Sequence, residues 1–125
     1  MPRKKAPVLT QRELEIMKVV WEMGKATVAE VRAALFPGAK LAYTTVLTLM
    51  RILEQKGFLQ HEPKGRAYLY RPRISQKKVK RLMVRDLVER AFDGSAELLL
   101  VSLIENGNLL PEDLERIRKA IPPSS

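Results

Sequence analysis

The sequence contains no cysteine and a single histidine, His61. The absence of cysteine excludes disulfides and thiolate metal sites, and it favours a reducing, cytoplasmic setting. Because His61 has no cysteine or acidic cluster at ligand spacing, we predict no metal site and no cofactor. No apolar run approaches the ~20 residues of a membrane-spanning helix, and the N-terminus lacks the apolar stretch of a signal peptide. We therefore expect a soluble cytoplasmic protein that does not insert into a membrane.

Catalytic motifs are lacking as well. One histidine offers no convincing Ser/His/Asp arrangement, and the sequence has neither a P-loop nor a dinucleotide-binding fingerprint. Aromatic residues are only 6% of the chain, which argues against base stacking on single-stranded RNA. We therefore expect a protein that is not an enzyme and has no catalytic residues.

Positive charge is abundant, and it is unevenly placed. The formal net charge is +9. Residues 1–74 hold 14 basic and six acidic residues, whereas residues 75–125 hold nine and eight. This asymmetry indicates that the first half meets a polyanion. Nucleic acid is favoured, while an acidic membrane surface or an acidic protein stays open.

The first half begins with a basic arm, residues 1–9, followed by two short helices. Each helix opens with a Thr-x-x-Glu capping pattern, which is Thr10 with Glu13 in the first and Thr27 with Glu30 in the second. Glycine ends the first helix at Gly24, and "FPG" at 36–38 ends the second. Helical spacing places these apolar residues on the buried faces: Leu14, Met17, Val20 and Trp21 in the first helix, and Val28, Val31, Ala34 and Leu35 in the second.

A third helix, about residues 42–56, carries the segment "LAYTTVLTLMRIL". Its apolar residues Val46, Leu49, Met50 and Leu53 form one stripe, and its threonines lie away from that stripe. Beyond Gly57 the spacing of apolar residues is no longer helical. It predicts two strands, about 58–62 and 67–71, joined by a turn at "PKG" 63–65. Tyr68 and Tyr70 are expected on one strand face as packing residues. Three helices and a hairpin predict a winged helix-turn-helix domain over residues 1–74.

The polar face of the third helix suits the major groove of DNA. Threonine hydroxyls can bond base edges, and threonine methyls can touch thymine methyls. The predicted DNA-binding residues are Tyr43, Thr44, Thr45, Thr48 and Arg51 on the helix, with Lys64 and Arg66 on the wing. Whether Arg51 contacts a base or a phosphate stays open. For Tyr43, contact with a phosphate and packing at the start of the helix are both open. The alternative function is a winged-helix module that binds protein or RNA without operator specificity.

The sequence of residues 75–125 predicts only helices, in three segments separated near "GS" 94–95 and "NGN" 106–108. The middle segment is apolar nearly all round, so its surplus surface needs a partner, and an identical chain is the simplest one. We therefore predict a helical dimerisation domain with these seam residues: Leu99, Leu100, Leu103, Ile104, Leu114 and Ile117. The alternative is a core internal to one chain. The predicted fold class is mainly α with a small β-hairpin wing, followed by this C-terminal α-helical domain.

Three segments, "LTQRELEIMKVVWEMG", "AYTTVLTLMRILEQKGFL" and "KGRAYLYRP", resemble the penicillinase-repressor family of the BlaI/MecI type. The similarity runs from about Leu9 to Ile121 and includes "FDGS" at 92–95. It implies a homodimeric bacterial repressor that binds double-stranded DNA at short inverted repeats. In the best-known branch, a membrane sensor-protease system leads to cleavage of the repressor in its dimerisation domain.

The chain also departs from the family pattern. Family members commonly have Asn-Arg or Thr-Arg where this chain has Arg51-Ile52, so the arginine lies one position earlier, about 100° round the helix. The segment that corresponds to the cleaved Asn-Phe bond reads Ser102-Leu103. Because cysteine is absent, sensing through the cysteine cluster of the copper-responsive branch is excluded.

Overall fold

The computed structural model describes residues 9–35 and 41–121. Its elements in chain order are α1 (Gln11–Met23), β1 (Ala26–Thr27), α2 (Val28–Leu35), α3 (Tyr43–Gln55), β2 (Leu59–Lys64), β3 (Ala67–Pro72), α4 (Gln76–Ala91), α5 (Ala96–Glu105) and α6 (Pro111–Ala120). The chain divides into two compact units between Met83 and Val84, inside α4. The predicted class, mainly α with a winged helix, is confirmed. The functional division at residues 74 and 75 stays a prediction. Two predicted features lie outside the described residues: the basic arm before Leu9 and the "FPG" helix end.

The ends of α1 follow directly from local sequence. The Thr10 backbone N–H donates to Glu13 Oε1 at 2.9 Å, and the Glu13 N–H donates to Thr10 Oγ1 at 3.2 Å. Gly24, with φ of +81°, ends the helix, and its N–H donates to the Val20 carbonyl at 2.7 Å. Both the capping box and the glycine stop are therefore confirmed. Thr27 and Glu30 repeat the reciprocal pair at the start of α2, at 2.8 and 3.2 Å.

The core of the first unit lies where α1, α2, α3 and the sheet meet. The fully buried side chains include Ile16, Met17, Val20, Val31, Val46, Met50, Leu53, Leu59 and Tyr70. On α1 the predicted stripe is partly wrong, because Leu14 and Trp21 are only partly buried and Ile16 is fully buried. Trp21 lies at the margin because its indole N–H needs a partner, and Nε1 donates to the Ile74 carbonyl at 3.0 Å. On α2, Ala34 is exposed and Leu35 is partly buried, and on α3, Leu49 is partly buried.

The sheet has three antiparallel strands in the order β1-β3-β2 rather than the two predicted. β1 has only two residues, too few to carry a periodic signal. The predicted turn is also displaced, since Pro63 lies in β2 opposite Tyr68 and the turn falls at Gly65 and Arg66. Proline is tolerated because β2 is an edge strand, and Gly65 supplies the left-handed conformation, with φ of +59°.

The second unit comprises the end of α4 with α5 and α6. Serine caps precede α4 and α5: the Lys78 N–H donates to Ser75 Oγ at 3.1 Å, and the Leu98 N–H donates to Ser95 Oγ at 3.2 Å. Between residues 84 and 121, which are all described, no side chain is buried. Throughout the described ranges, no helix has the length and apolarity needed to cross a bilayer.

Candidate nucleic-acid interface

The outward face of α3 is formed by its threonines. Val46, Met50 and Leu53 are buried against the core, which turns the opposite side of the helix to solvent. Thr44, Thr45 and Thr48 are all exposed. Their predicted position on an accessible polar face is confirmed, while their contact with DNA stays a prediction.

The start of α3 differs from the starts of α1 and α2. Ala42 occupies the N-cap without a side-chain hydrogen bond, and the first turn contains no acidic residue. Because the first amides of a helix carry partial positive charge, this uncapped end favours an approaching anion. The Thr-Glu boxes of α1 and α2 instead place a carboxylate at that position.

A small cavity of about 140 Å³ lies between α3 and the wing. Tyr43, Leu47 and Arg51, spaced four residues apart, form its α3 wall. The complete lining is Val28, Tyr43, Leu47, Arg51, Arg66, Ala67 and Tyr68. The structure therefore brings three predicted site residues together, namely Tyr43, Arg51 and Arg66. Thr44, Thr48 and Lys64 are not among the lining residues.

Lys64 is the last residue of β2, and its positive charge acts on Glu30 at the start of α2. Hydrogen bonds from the backbone and hydroxyl of Thr27 hold the pKa of Glu30 below its ordinary value, and the charge of Lys64 adds to that lowering. Lys64 and Arg66 are both exposed at the hairpin end. The wing thus presents two cations, of which only Arg66 faces the cavity.

Tyr68 lines the cavity, a position that the sequence analysis did not assign to it. The expected packing on one strand face is confirmed, since both tyrosine rings contact His61, but Tyr70 is 1% exposed and Tyr68 is 47% exposed. The difference arises from the sheet: Tyr70 pairs with β1 and lies over the core, whereas Tyr68 lies beyond β1 toward the turn. Its closeness to Gly65 was the available signal.

His61 connects the wing to α3. Its Nδ1 lies 2.8 and 2.7 Å from the two carboxylate oxygens of Glu54, near the end of α3. Its ring centroid lies 4.4 Å from that of Tyr68 and 5.5 Å from that of Tyr70. The expected place of His61 on a strand surface is confirmed, and no cluster of metal-binding side chains occurs among the residues described.

The predicted seam residues lie in the second unit. Leu100 and Ile117 are 42% and 43% exposed. The other four, Leu99, Leu103, Ile104 and Leu114, are partly buried. All six remain accessible in the single chain, and their role in dimerisation stays a prediction.

Comparison with known proteins identifies the family. Residues 9–122 match the penicillinase repressor family. The chain belongs to this family. The resemblance expected from the sequence motifs is thereby confirmed, and the matched family is one of repressors rather than enzymes. Among its similar proteins, a penicillinase repressor of Bacillus licheniformis is 27% identical over 114 residues, which cover 91% of this chain and 89% of that protein.

Solved structures extend the family relationship to the winged helix. The solution structure of the DNA-binding domain of the repressor BlaI is 34% identical with a TM-score of 0.52, and the match covers 59% of this chain and 90% of that one. The monomeric form of Bacillus licheniformis BlaI in complex with the blaP half-operator is 33% identical with a TM-score of 0.50, over 60% and 92%. Both family structures therefore match the winged-helix fold of this chain.

Proposed function

We propose that this chain is a cytoplasmic transcriptional repressor that binds an inverted-repeat operator in double-stranded DNA as a homodimer. The observation that carries the proposal is the exposed threonine row of α3 beside a cationic wing. A related winged helix, that of Bacillus licheniformis BlaI, has been solved with a half-operator. Within this proposal, Thr44, Thr45 and Thr48 read base edges, and Lys64 meets a phosphate.

The proposed homodimer is supported by the apolar surface that the second unit leaves exposed. Residues 84–121 bury no side chain, although α5 is strongly apolar. Leu98, Leu100 and Val101 are 49%, 42% and 43% exposed. A twofold partner that covers this surface would pair two winged helices symmetrically, and a symmetric dimer matches a palindromic site.

A charge introduced at the proposed seam tests this arrangement. Leu100 is the suitable position because it is exposed in the single chain, so Leu100→Asp places the new charge at the surface of one subunit. Ala96→Asp is the matched control, since it adds the same charge to an exposed position at the start of α5. The duplex is one selected by the wild-type protein from a random pool.

We expect Leu100→Asp to sediment as a folded monomer and Ala96→Asp as a dimer. Loss of the dimer contact should weaken binding to the full repeat by at least about tenfold. In the dimer, binding of the second subunit is intramolecular, which contributes roughly 10²–10⁴ in apparent affinity. Binding to a half-site should be unchanged. A dimeric Leu100→Asp protein with wild-type affinity would contradict the proposed seam.

Cleavage by a sensor protease system remains an implication of the resemblance. Ser102 and Leu103 lie inside α5, where the Ser102 carbonyl accepts hydrogen bonds from the Asn106 backbone N–H and side-chain amide, at 3.0 and 2.8 Å. A protease that acts at this bond must first unwind a helical turn. Such a cut would divide the proposed dimer seam.

A further inference from the structure

Arg51 and Arg66 line the same cavity although they belong to different elements. Arg51 lies on α3, and Arg66 lies in the turn between β2 and β3. In the part of the chain that the structure describes, neither guanidinium forms an ion pair or donates a hydrogen bond within the protein. Two like charges around one small cavity favour an anion between them.

The rest of the cavity suits a compact anion with acceptor oxygens. The phenol side chains of Tyr43 and Tyr68 are 46% and 47% exposed, and they offer hydroxyl donors. Val28, Leu47 and Ala67 complete the lining, which contains no carboxylate. A volume of about 140 Å³ corresponds to a few water molecules, which is too small for a base pair and large enough for a phosphate group.

We infer that this cavity binds one phosphodiester of the DNA backbone, which receives hydrogen bonds from both Arg51 and Arg66. The inference rests on the proposed DNA-binding function and deepens it in two ways. It assigns Arg51 to a phosphate rather than a base edge. It also adds Tyr68 to the DNA-binding residues.

The helical geometry of α3 supports the assignment of Arg51. Tyr43, Leu47 and Arg51 share one row, four residues apart, which faces the wing across the cavity. Thr44 and Thr48 form the next row, about 100° round the helix. Neither threonine lines the cavity, and both are exposed. Base reading and phosphate binding are thereby divided between adjacent rows of the same helix.

Side-chain contacts connect the α3 wall of the cavity with the wing wall. Glu54 lies one turn beyond Arg51 and contacts His61 Nδ1 at 2.7 Å. The His61 ring packs on Tyr68 with 4.4 Å between centroids. Glu54 and His61 therefore connect the end of α3 with the Tyr68 wall of the cavity.

The test pairs protein variants with DNA in which single phosphates are replaced by neutral methylphosphonates. The DNA is a duplex selected by the wild-type protein from a random pool, and each position near the half-site is replaced in turn. The variants are Arg51→Ala, Arg66→Ala and Tyr68→Phe, all in the full-length chain. Lys64→Ala is the matched control, because it removes a wing cation that does not line the cavity.

We expect Arg51→Ala and Arg66→Ala each to weaken binding by about tenfold or more, as for the loss of a charge-assisted hydrogen bond. At one methylphosphonate position, the same position for both variants, this loss should nearly disappear. Tyr68→Phe should show a smaller loss that disappears at that position too, whereas the Lys64→Ala loss should persist there. The preference of Arg51→Ala for the selected duplex over a scrambled one should equal that of wild type.

Two outcomes would overturn the inference. In one, the affinity losses of Arg51→Ala and Arg66→Ala disappear at two different methylphosphonate positions, or at no position. The other is a loss of sequence preference in Arg51→Ala, which would show a base contact. If wild type selected no duplex at all, the proposed function itself would fail, so the two failures are distinguishable.

Free phosphate offers the same chemistry from another source. Without DNA, wild-type protein should bind inorganic phosphate only weakly, at about millimolar concentration or above, because one phosphate contact is a small part of a DNA interface. Binding of inorganic phosphate at about micromolar concentration that is lost in both Arg51→Ala and Arg66→Ala would instead assign the cavity to a free anion, and the inference would be wrong.

Discussion

Glu13 is the buried charge on which the stability of the winged helix should depend most. Its side chain is 3% exposed. It accepts from the Thr10 backbone and from Lys56 Nζ, the latter at 2.8 and 3.1 Å to its two oxygens. The same carboxylate thus caps the start of α1 and holds the residue that ends α3.

The expected cost of Glu13→Ala has two parts. Loss of a helix cap costs about 1 kcal/mol. Breaking a fully buried ion pair costs about 3–5 kcal/mol, but Lys56 is 32% exposed, so we expect about 1–2 kcal/mol here. The free energy of unfolding should therefore fall by about 2–3 kcal/mol. Glu15→Ala is the control, because Glu15 pairs with Arg12 on the surface and such pairs contribute about 0–1 kcal/mol.

Urea unfolding of the full chain measures both variants. Fluorescence of Trp21, the one tryptophan in the sequence, reports on the first unit because its indole is bonded to the Ile74 carbonyl. If Glu13→Ala were no less stable than Glu15→Ala, the buried carboxylate would not have the role assigned to it.

The charge of Glu13 also predicts a pH dependence. Burial raises the pKa of Glu13, but hydrogen bonds from Lys56 and Thr10, together with the charge of Lys56, outweigh burial and hold the pKa below its ordinary value of 4.5. Because the folded pKa is the lower one, the stabilisation is complete above pH 4.5 and is lost as the pH falls through the folded value. The stability gap between wild type and Glu13→Gln should therefore narrow in acid. A gap that stayed constant from about pH 7 to about pH 3 would exclude the charge as its cause.

Two further predictions concern DNA binding. Thr48→Ala should reduce the preference for the selected duplex over a scrambled one by ~1 kcal/mol, measured by fluorescence anisotropy, and an unchanged preference would remove Thr48 from base reading. Lys64→Ala should weaken both duplexes alike and make the slope of log K against log salt shallower by about 0.9 for each phosphate that the lysine neutralises in wild type. An unchanged slope would show that Lys64 does not bind a phosphate.

Helix boundaries were predictable because their determinants are local. The boxes at Thr10 and Thr27, the glycine stop at Gly24 and the serine caps at Ser75 and Ser95 act within a few residues of the chain. Every donor and acceptor that these caps need is therefore present in a short segment of sequence. The threonine face of α3 was predictable for the same reason, since a single helical period defines it.

The wing was predictable only in outline, because its details depend on strand order. Proline usually signals a turn, yet Pro63 lies inside β2 because that strand has a free edge. The strand Ala26–Thr27 has no signal of its own. The cavity was beyond sequence interpretation altogether, since no local pattern brings Arg51 next to Arg66 or separates exposed Tyr68 from buried Tyr70.

The two-residue strand β1 has a mechanical consequence for the wing. It pairs with Leu69 and Tyr70 only, and Thr27 leads directly into α2. The base of the hairpin is therefore paired with β1 on one side of β3 and with β2 on the other, whereas the segment from Lys64 to Ala67 lies beyond β1 and has strand pairing on one side only. Amide hydrogens should exchange slowly at the base and quickly at the tip. The base of the wing therefore opens only together with the helix that β1 leads into, whereas the tip can open on its own.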